Sequence, residues 1–417
     1  MKTRLLWIGC VSYGLIAFTL VILGAVLPEL LSHYSQSYSN GGVLVFSQFM
    51  GFLIGVLGMP LLVKKLGRKN VVVVGLAMIS CELVIFFLPP WPLLFLFVSM
   101  AGLGAGLVES CVGTIILTAI KEKQAVAMSK MEVAYGLGAL FMPLLSSFLI
   151  SNGLWALAFL VLGVSSFLLM IVWRQMSFGS LDHLLIRKES SPDIKTQGHT
   201  SYRSKGFLFI ALAAAYFFFY GGSEVSIVHF IPSIFAEKWD IPNSLATITV
   251  TIYWSGMIIG RLLTGPVSEK ITYHRFLRFI NIGGLIALAI LAVSQTVWVG
   301  FALCFFLGLF MAGMFAIALI ITNQFFPGKT EQTTSILLAS NGLGGSILPI
   351  AVGWSLDEFP VQTAFWLFTI LMAFMLILVI ALKILEAAKM RTHGQSIPGA
   401  EDAPRQEEEP GHSEDPY

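Results

Sequence analysis

Long apolar runs separated by short polar stretches dominate this chain. A helix needs about 20 mainly apolar residues to cross the ~30 Å hydrocarbon core of a bilayer. We predict spans at 5–27, 41–63, 70–88, 93–120, 131–150, 153–173, 207–235, 244–268, 276–294, 297–322, 333–355 and 362–386. The sequence therefore predicts an all-α polytopic membrane protein with 12 transmembrane helices.

A long polar stretch divides the spans into two equal groups. We expect a first six-helix bundle at 1–173, a cytoplasmic linker at 174–206, a second bundle at 207–386 and a disordered tail at 387–417. The tail is rich in Pro, Glu and Gly, so it cannot bury enough apolar area to fold. The first apolar run has no convincing cleavage site at signal-peptide length, and we interpret it as a retained span.

The basic residues lie almost entirely on one predicted side of the membrane. If the N-terminus is cytoplasmic, all 25 Lys and Arg residues except Lys238 fall in cytoplasmic segments. Such a bias sets the orientation of membrane proteins. We predict a multi-pass protein of the cell membrane with both termini in the cytoplasm.

The two halves resemble each other at an almost constant offset of 204 to 206 residues. The matching positions are Gly51-x-x-x-Gly55 with Gly256-x-x-x-Gly260, Gly136-Leu137-Gly138 and Pro143 with Gly342-Leu343-Gly344 and Pro349, and Leu27-Pro28 with Ile231-Pro232. Glycines also recur where helices pack closely, so the pairs alone are weak evidence. The shared offset favours two parallel six-helix repeats related by an axis along the membrane normal.

This architecture resembles that of the major facilitator superfamily. The signature of that family between spans 2 and 3 is roughly G-x-x-x-D-R-x-G-R-K. Here the stretch retains Gly67-Arg68-Lys69, but Pro60 replaces the opening glycine and Lys64 replaces the acid. The second-half copy keeps the glycine and an acid, Gly265 and Glu269. The interactions among charged residues that this signature makes in the family must therefore be altered in the first half.

We predict a cytoplasmic gate made of charged residues near this signature and its counterpart. Glu132 lies close to the cytoplasmic start of span 5, where an ion pair with Lys64 or Lys65 is the favoured interpretation. The predicted gate residues are Lys64, Arg68, Glu132, Arg261 and Glu269.

Composition and charge exclude several other classes of protein. The chain is 56% hydrophobic and only 12% charged, whereas a soluble domain carries about 25% charged residues. A net charge of +2 and the lack of a basic patch argue against a nucleic-acid partner. There is no Walker A sequence, and Gly102-x-Gly104-x-Gly106 lacks the spacing of a dinucleotide loop. The four cysteines lie in apolar runs and indicate neither disulfides nor a metal site. We predict no cofactor and no metal.

Four glutamates fall inside predicted spans: Glu82, Glu109, Glu132 and Glu224. An ionisable residue in hydrocarbon costs about 2.5–3.5 kcal/mol on insertion scales, so it is a functional candidate by default. Glu109 and Glu224 lie near the middle of spans 4 and 7, and we predict that they couple transport to protons. The alternative for each is a protonated glutamate bonded to a neighbouring helix. Glu82 has no polar neighbours in sequence, which favours a structural role.

Other polar and aromatic residues within the spans are candidates for substrate binding. Carboxylates and amides bond sugar hydroxyls, and aromatic rings stack on the apolar face of a sugar ring. The predicted substrate-binding residues are Gln48, Glu109, Tyr135, Tyr253, Trp254 and Asn341. In the repeat, Gln48 aligns with Tyr253 and Tyr135 with Asn341. His229 in span 7 is either a proton relay or a structural histidine.

Spans 2, 4, 5, 8 and 11 are also similar to one family within that superfamily. The segments that carry this resemblance include 48–53, 104–110, 128–140, 254–265 and 353–356. They resemble the fucose–galactose–glucose:proton symporter family, which implies a rocker-switch mechanism and a coupling role for Glu109. Span 1 departs from that family, because Gly24 to Pro28 contains no acid. Glu224 is the candidate to replace the acid that members of that family have in span 1.

Two classes of transport remain open from the sequence. The leading hypothesis is uptake of a hexose such as glucose with protons, by a functional monomer in the lipid bilayer. The alternative is a proton-antiport exporter of a drug or secondary metabolite, since the same fold and buried acids serve either direction. A membrane sensor is disfavoured, because the tail is too short to hold a domain.

Overall fold

The computed structural model describes residues 2–120, 124–177, 204–326 and 330–392. Within them, twelve helices are long and apolar enough to cross a membrane, which confirms the predicted fold class. The helices are α1 (Lys2–Tyr34), α2 (Tyr38–Leu66), α3 (Arg68–Ser80, continued by a 3₁₀ helix over Cys81–Phe87), α4 (Trp91–Ala119), α5 (Gln124–Ser151), α6 (Leu157–Gln175), α7 (Ser204–Trp239), α8 (Asn243–Lys270), α9 (Tyr273–Val293), α10 (Val297–Met311 and Met314–Phe325), α11 (Thr330–Glu358) and α12 (Gln362–Thr392).

Two helices run through a proline that lies near the predicted end of a span. α1 runs through Pro28 to Tyr34, and α7 runs through Pro232 to Trp239. Proline removes one backbone donor, but neighbouring helices and local adjustments satisfy the freed groups within a membrane protein. The predicted spans 5–27 and 207–235 therefore end before the helices do, which continue to Tyr34 and Trp239.

Two predicted segments lie largely outside the described residues. Of the linker at 174–206, the segment 178–203 is not described, and of the tail at 387–417, the segment 393–417 is not described. Residues 387–392 are helical in α12, so the prediction of disorder is wrong for them. The cytoplasmic location of the linker and the tail, and the disorder of 393–417, stay predictions.

Large apolar side chains cover the outside of the helix bundle. Trp7, Leu57, Phe148, Trp298 and Ile370 are each more than 60% exposed. Isolated exposed apolar residues are normal in soluble proteins, but a surface this apolar suits contact with lipid tails.

Close glycine contacts hold α2 against α4, and α8 against α10. A Cβ added at Gly102 would lie 2.0 Å from the Gln48 carbonyl oxygen, and one at Gly308 would lie 2.0 Å from that of Tyr253. The residue pairs in the two halves are again 206 and 205 positions apart. The sequence repeat is thus a repeat of packing, as expected for two parallel halves.

The same packing gives a test with a control on one helix. A Cβ at Gly55 would lie 2.2 Å from the Leu103 carbonyl oxygen, whereas one at Gly58 would meet nothing within 4 Å. We expect Gly55→Ala to cost about 1–3 kcal/mol of stability, because the backbones must separate. Gly58→Ala should be neutral or slightly stabilising, since alanine favours helix. Melting temperatures of the purified variants measure both effects, and equal values would contradict the close packing.

The two halves meet chiefly where α2 contacts α11 and α5 contacts α8, and α1 contacts both α7 and α8. The pairs α2–α11 and α5–α8 correspond in the repeat, because α8 is the counterpart of α2 and α11 is the counterpart of α5. This arrangement leaves a central space between the halves.

Candidate functional site

A cavity of about 560 Å³ occupies the space between the halves. Its volume lies within the range of about 300–1,000 Å³ that is typical of small-molecule sites. Residues of both halves line it. Among them are three glutamates, Glu109 and Glu132 from the first half and Glu224 from the second. The cavity therefore carries polar groups of both halves although the surrounding bundle is apolar.

The fold brings together most of the residues that the sequence singled out. Glu109 from α4, Tyr135 from α5, Glu224 from α7, Trp254 from α8 and Asn341 from α11 all line this cavity. Five different helices thus supply five of the predicted proton-coupling and substrate-binding residues. Tyr135 and Asn341, which align in the repeat, face the cavity from opposite halves.

Two predicted substrate ligands lie outside the lining. Gln48 is fully buried, and its Nε2 donates to the Thr19 carbonyl oxygen at 2.8 Å. Tyr253 is also fully buried, with its hydroxyl 3.5 Å from the Met311 Sδ. Both residues sit at the close helix contacts described above, so their side chains bond within their own half. The geometry gives no support to their predicted role as ligands.

The described gate residues form one ion pair between the halves. Arg261 of α8 lies 3.5 Å from Glu132 of α5, and both line the cavity. Glu132 was expected to pair with Lys64 or Lys65, but its described partner is Arg261. The side chains are 36% exposed for Arg261 and 53% exposed for Glu132, so solvent weakens the attraction between them.

Of the other predicted gate residues, Lys64 and Arg68 do not line the cavity. Lys64 is exposed at the end of α2, and Arg68 is buried at the start of α3, where its carbonyl oxygen accepts from the Cys111 thiol at 3.3 Å. The side chain of Glu269 lies outside the described part of the structure. Their assignment to a cytoplasmic gate stays a prediction.

The cavity holds more acidic than basic groups. Its lining contains the carboxyls of Glu109, Glu132 and Glu224 and the single guanidinium of Arg261. Glu224 also interacts electrostatically with Arg261, although Glu132 is the one within ion-pair distance. Glu224 is more buried than Glu132, so water screens its charge less. Arg261 therefore interacts with a carboxylate of each half, Glu132 of the first and Glu224 of the second.

Aromatic rings form one wall of the cavity across the junction of the halves. The ring centroids of Tyr135 and Trp254 are 5.9 Å apart in an edge-to-face arrangement. The guanidinium carbon of Arg261 lies 5.7 Å from the centre of the Trp254 ring, within range of a cation–π interaction. Trp254 thus contacts both the first half and the charged group of the cavity.

Two tyrosines of the lining are not among the site residues predicted from the sequence. The Tyr13 hydroxyl of α1 donates to the Glu109 carbonyl oxygen at 3.2 Å, a contact across 96 positions that no sequence pattern predicts. Tyr220 precedes Glu224 by one helical turn and interacts with it. Residues four apart on a helix are neighbours, so the contact between Tyr220 and Glu224 could have been predicted from the sequence.

One end of the junction between the halves is closed by polar contacts. We call it the sealed end, defined by Tyr38 at the start of α2 and Asp357 near the end of α11. The backbone N–H groups of Tyr38 and Ser39 donate to the two carboxylate oxygens of Asp357, each at 2.7 Å. The Tyr38 hydroxyl also donates to Glu237 of α7. A carboxylate of the second half thus caps a helix of the first.

Further contacts extend this closure toward the cavity. Asn243 Nδ2 donates to Glu29 at 2.9 Å, and the Thr247 hydroxyl donates to the Ala25 carbonyl oxygen at 3.0 Å. Gly24 packs on His229, where an added Cβ would lie 2.7 Å from the His229 Cα. By contrast, Glu132 and Arg261 at the opposite end are partly exposed. The cavity is therefore shut at the sealed end.

We expect Asp357→Ala to shift the protein toward a state open at the sealed end. Two charge-assisted bonds are lost, and for exposed groups we expect about 1.5–3 kcal/mol in total, or roughly ten- to one-hundred-fold in the equilibrium. Spin labels at Ser151 and Gln295, both exposed at this end, would report longer distances in a background without the four cysteines. Glu358→Ala is the matched control. Unchanged distances in Asp357→Ala would contradict the capping role.

One intramembrane carboxyl lies apart from the cavity. Glu82 is 1% exposed within the 3₁₀ segment of α3, and neither of its oxygens has a described hydrogen-bond partner. A buried carboxyl without partners is stable only when neutral. Glu82 is thus not placed to act on anything in the cavity.

These features define a class of protein. Two parallel six-helix halves enclose a polar cavity that is shut at one end, which is the architecture of a membrane transporter. The chain belongs to the Major Facilitator Superfamily, whose family model matches residues 9–234 and 208–402. This confirms the resemblance found in the signature and in the repeats.

Similar proteins agree with this assignment. The glucose/mannose transporter GlcP of Bacillus subtilis (strain 168) is 30% identical over 359 residues, covering 83% of this chain and 86% of that protein. A D-xylose-proton symporter has the same fold, with a TM-score of 0.72 and 13% identity over 91% of this chain and 96% of its own. A mutant of the nucleoside transporter NupG gives a TM-score of 0.73 and 13% identity, covering 92% and 99%.

Proposed function

We propose that this protein takes up a hexose such as glucose together with protons, by alternating access of one central cavity. The observation that carries the proposal is the cavity itself, where carboxyl groups of both halves stand beside an aromatic wall and an amide. Such a set offers hydrogen bonds to hydroxyl groups and an apolar face to a sugar ring. The 30% identity to a glucose/mannose transporter supports the same substrate class.

The two deep carboxyls have different surroundings. Glu224 interacts electrostatically with Arg261. By contrast, no described side chain forms a hydrogen bond or an ion pair with the Glu109 carboxyl. A carboxyl that is half-buried and open to the cavity can bind a proton in one state and release it in another. We assign proton uptake to Glu109 and, through Arg261, a supporting role to Glu224.

The placement of basic residues supports an orientation for this cycle. With both termini in the cytoplasm, the sealed end faces outward and the cavity is accessible from the cytoplasm. This state follows the release of sugar into the cell and precedes the return to the outward-open state. We take the proton gradient as the driving force, because Glu109 offers the cavity a group that can bind and release a proton.

Uptake of labelled glucose into proteoliposomes tests the proposal. We expect accumulation when the outside is more acidic than the inside, and none when a proton carrier collapses the gradient. Mannose and galactose, used as unlabelled competitors, define the range of hexoses. Absence of gradient-dependent uptake when each of the three sugars is labelled in turn would overturn the proposed function.

The cavity also contains a feature that fits the alternative function. Phe49, Phe52 and Phe315 line it together with the polar residues. Apolar cargo of an exporter would favour such a lining, and its movement would oppose that of the protons. Proton-driven loss of a hydrophobic dye from loaded liposomes, with no hexose uptake, would favour the exporter.

A further inference from the structure

Three polar side-chain atoms at the cavity have no hydrogen-bond partner among the described residues. They are Nε1 of Trp254, Oδ1 of Asn341 and Nε2 of His229, and all three belong to the second half. A buried polar atom without a partner costs free energy, so it indicates a group that a ligand satisfies. Trp254 and Asn341 are already assigned to the substrate. His229 has no assigned role.

The hydrogen bond of His229 determines which ring nitrogen carries the proton. Nδ1 lies 2.8 Å from the Val225 carbonyl oxygen, which can only accept. Nδ1 is therefore the protonated nitrogen, and in the neutral ring Nε2 presents a lone pair. The Leu20 carbonyl also interacts with the ring, but a carbonyl oxygen only accepts, so it cannot donate to the Nε2 lone pair. An acceptor thus stands at the cavity wall without a donor.

The position of His229 is fixed by contacts with the first half. The Phe49 ring of α2 stands edge-to-face with the imidazole, with centroids 5.5 Å apart. On the opposite side, Gly24 of α1 packs so closely on the His229 backbone that no side chain fits between them. The residue is only 1% exposed. Nε2 is therefore held in one place at the point where the halves touch.

We propose that Nε2 of His229 accepts a hydrogen bond from a hydroxyl group of the bound sugar. The ligand class is a polyol or sugar with a donor hydroxyl that reaches the α1–α7 contact, and the inference rests on the proposed function. Together with the Trp254 N–H, which donates, and the Asn341 oxygen, which accepts, the site combines one donor and two acceptors. Vicinal hydroxyl groups, each both donor and acceptor, match this set.

Two substitutions separate this role from a purely structural one. The side-chain nitrogen of asparagine can occupy the place of Nδ1, so His229→Asn keeps the bond to Val225 and loses the acceptor. The longer side chain of glutamine reaches the place of Nε2, so His229→Gln keeps the acceptor and loses the bond to Val225. A ligand role and a structural role therefore predict opposite orders of activity for these two variants.

Glucose uptake kinetics in proteoliposomes give the readout. We expect His229→Asn to raise KM about five- to thirty-fold with kcat nearly unchanged, because a binding contact is lost without harm to later steps. His229→Gln should stay within about three-fold of the wild type. The reverse order, or equal KM values in both variants and the wild type, would overturn the inference.

A measurement on the unaltered protein covers the case in which a variant does not fold. Diethyl pyrocarbonate acylates an unprotonated imidazole nitrogen, and mass spectrometry of peptides reports the reaction at His229 separately from the other histidines. We expect saturating glucose to slow this reaction at least five-fold. An unchanged rate in protein that transports glucose would overturn the inference alone. Failure of the wild type to take up any hexose would instead overturn the proposed function, and the inference with it.

Discussion

Glu109→Gln is expected to abolish accumulation of sugar against its gradient while exchange of sugar across the membrane continues. Glutamine keeps the shape of the side chain and its capacity for hydrogen bonds, but it cannot take up or release a proton. The Glu109 side chain opens into the cavity and has no described partner that would substitute for it. Sugar should then equilibrate, so that the internal concentration does not exceed the external one.

Proteoliposomes with an imposed proton gradient measure accumulation, and counterflow with preloaded sugar measures exchange. Glu82→Gln is the control, since it makes the same chemical change at a buried carboxyl outside the cavity. That variant should accumulate sugar as the wild type does, per amount of folded protein. Full accumulation by Glu109→Gln would exclude Glu109 as the proton carrier and leave Glu224 as the candidate.

Arg261→Gln is expected to lower the rate of coupled uptake by about ten- to one-hundred-fold, where each ten-fold step corresponds to about 1.4 kcal/mol. The reason is the charge of the whole cavity. Without Arg261, three carboxyls would share one cavity with no described cation to balance them. Like charges at short range resist common ionisation, so the cycle of protonation would be disturbed.

Two further variants show whether the ion pair or the charge balance matters. Glu132→Gln removes only the half-exposed pair, which is worth about 0.2–1 kcal/mol and thus at most a five-fold effect. Arg261→Lys keeps the charge and should retain more activity than Arg261→Gln. If Glu132→Gln were as harmful as Arg261→Gln, the function of Arg261 would lie in the ion pair alone.

The sequence predicted the parts of this molecule that depend on periodic or global properties. Hydrocarbon thickness sets the length of a span, so twelve apolar runs predicted twelve helices. The glycine offset predicted the repeat, because close backbone contacts tolerate only small residues and duplication keeps them in place. Buried acids are rare and costly, which made Glu109 and Glu224 visible at once.

The direction in which a side chain points was harder to predict. Gln48 and Tyr253 lie in spans that border the cavity, but they face the neighbouring helix of their own half. These spans are apolar on all sides, so no amphipathic pattern distinguishes the cavity side from the packed side. The pairing of Glu132 with Arg261 joins residues far apart in sequence, and it depends on how the two halves approach each other.

The predicted ends of spans 1 and 7, at residues 27 and 235, fall short of the helix ends for a different reason. Proline marks the end of a helix in water, because its missing donor and its ring disturb the next turn. In α1 and α7 the surrounding helices support the chain beyond Pro28 and Pro232. The added turns place Glu29 and Glu237 at the sealed end, where they form the contacts that close it.

The cap that Asp357 places on α2 has a consequence for the energy of turnover. Breaking a hydrogen bond in an apolar medium costs about 4–6 kcal/mol, which would trap a transporter in one state. Here the two N–H donors of α2 and the Asp357 carboxylate lie at an exposed surface, so water replaces each partner as the halves separate. The closure therefore fixes the geometry of the junction, but the free energy needed to open it is small. A junction of this kind holds one conformation long enough to exclude leakage and still opens in every cycle.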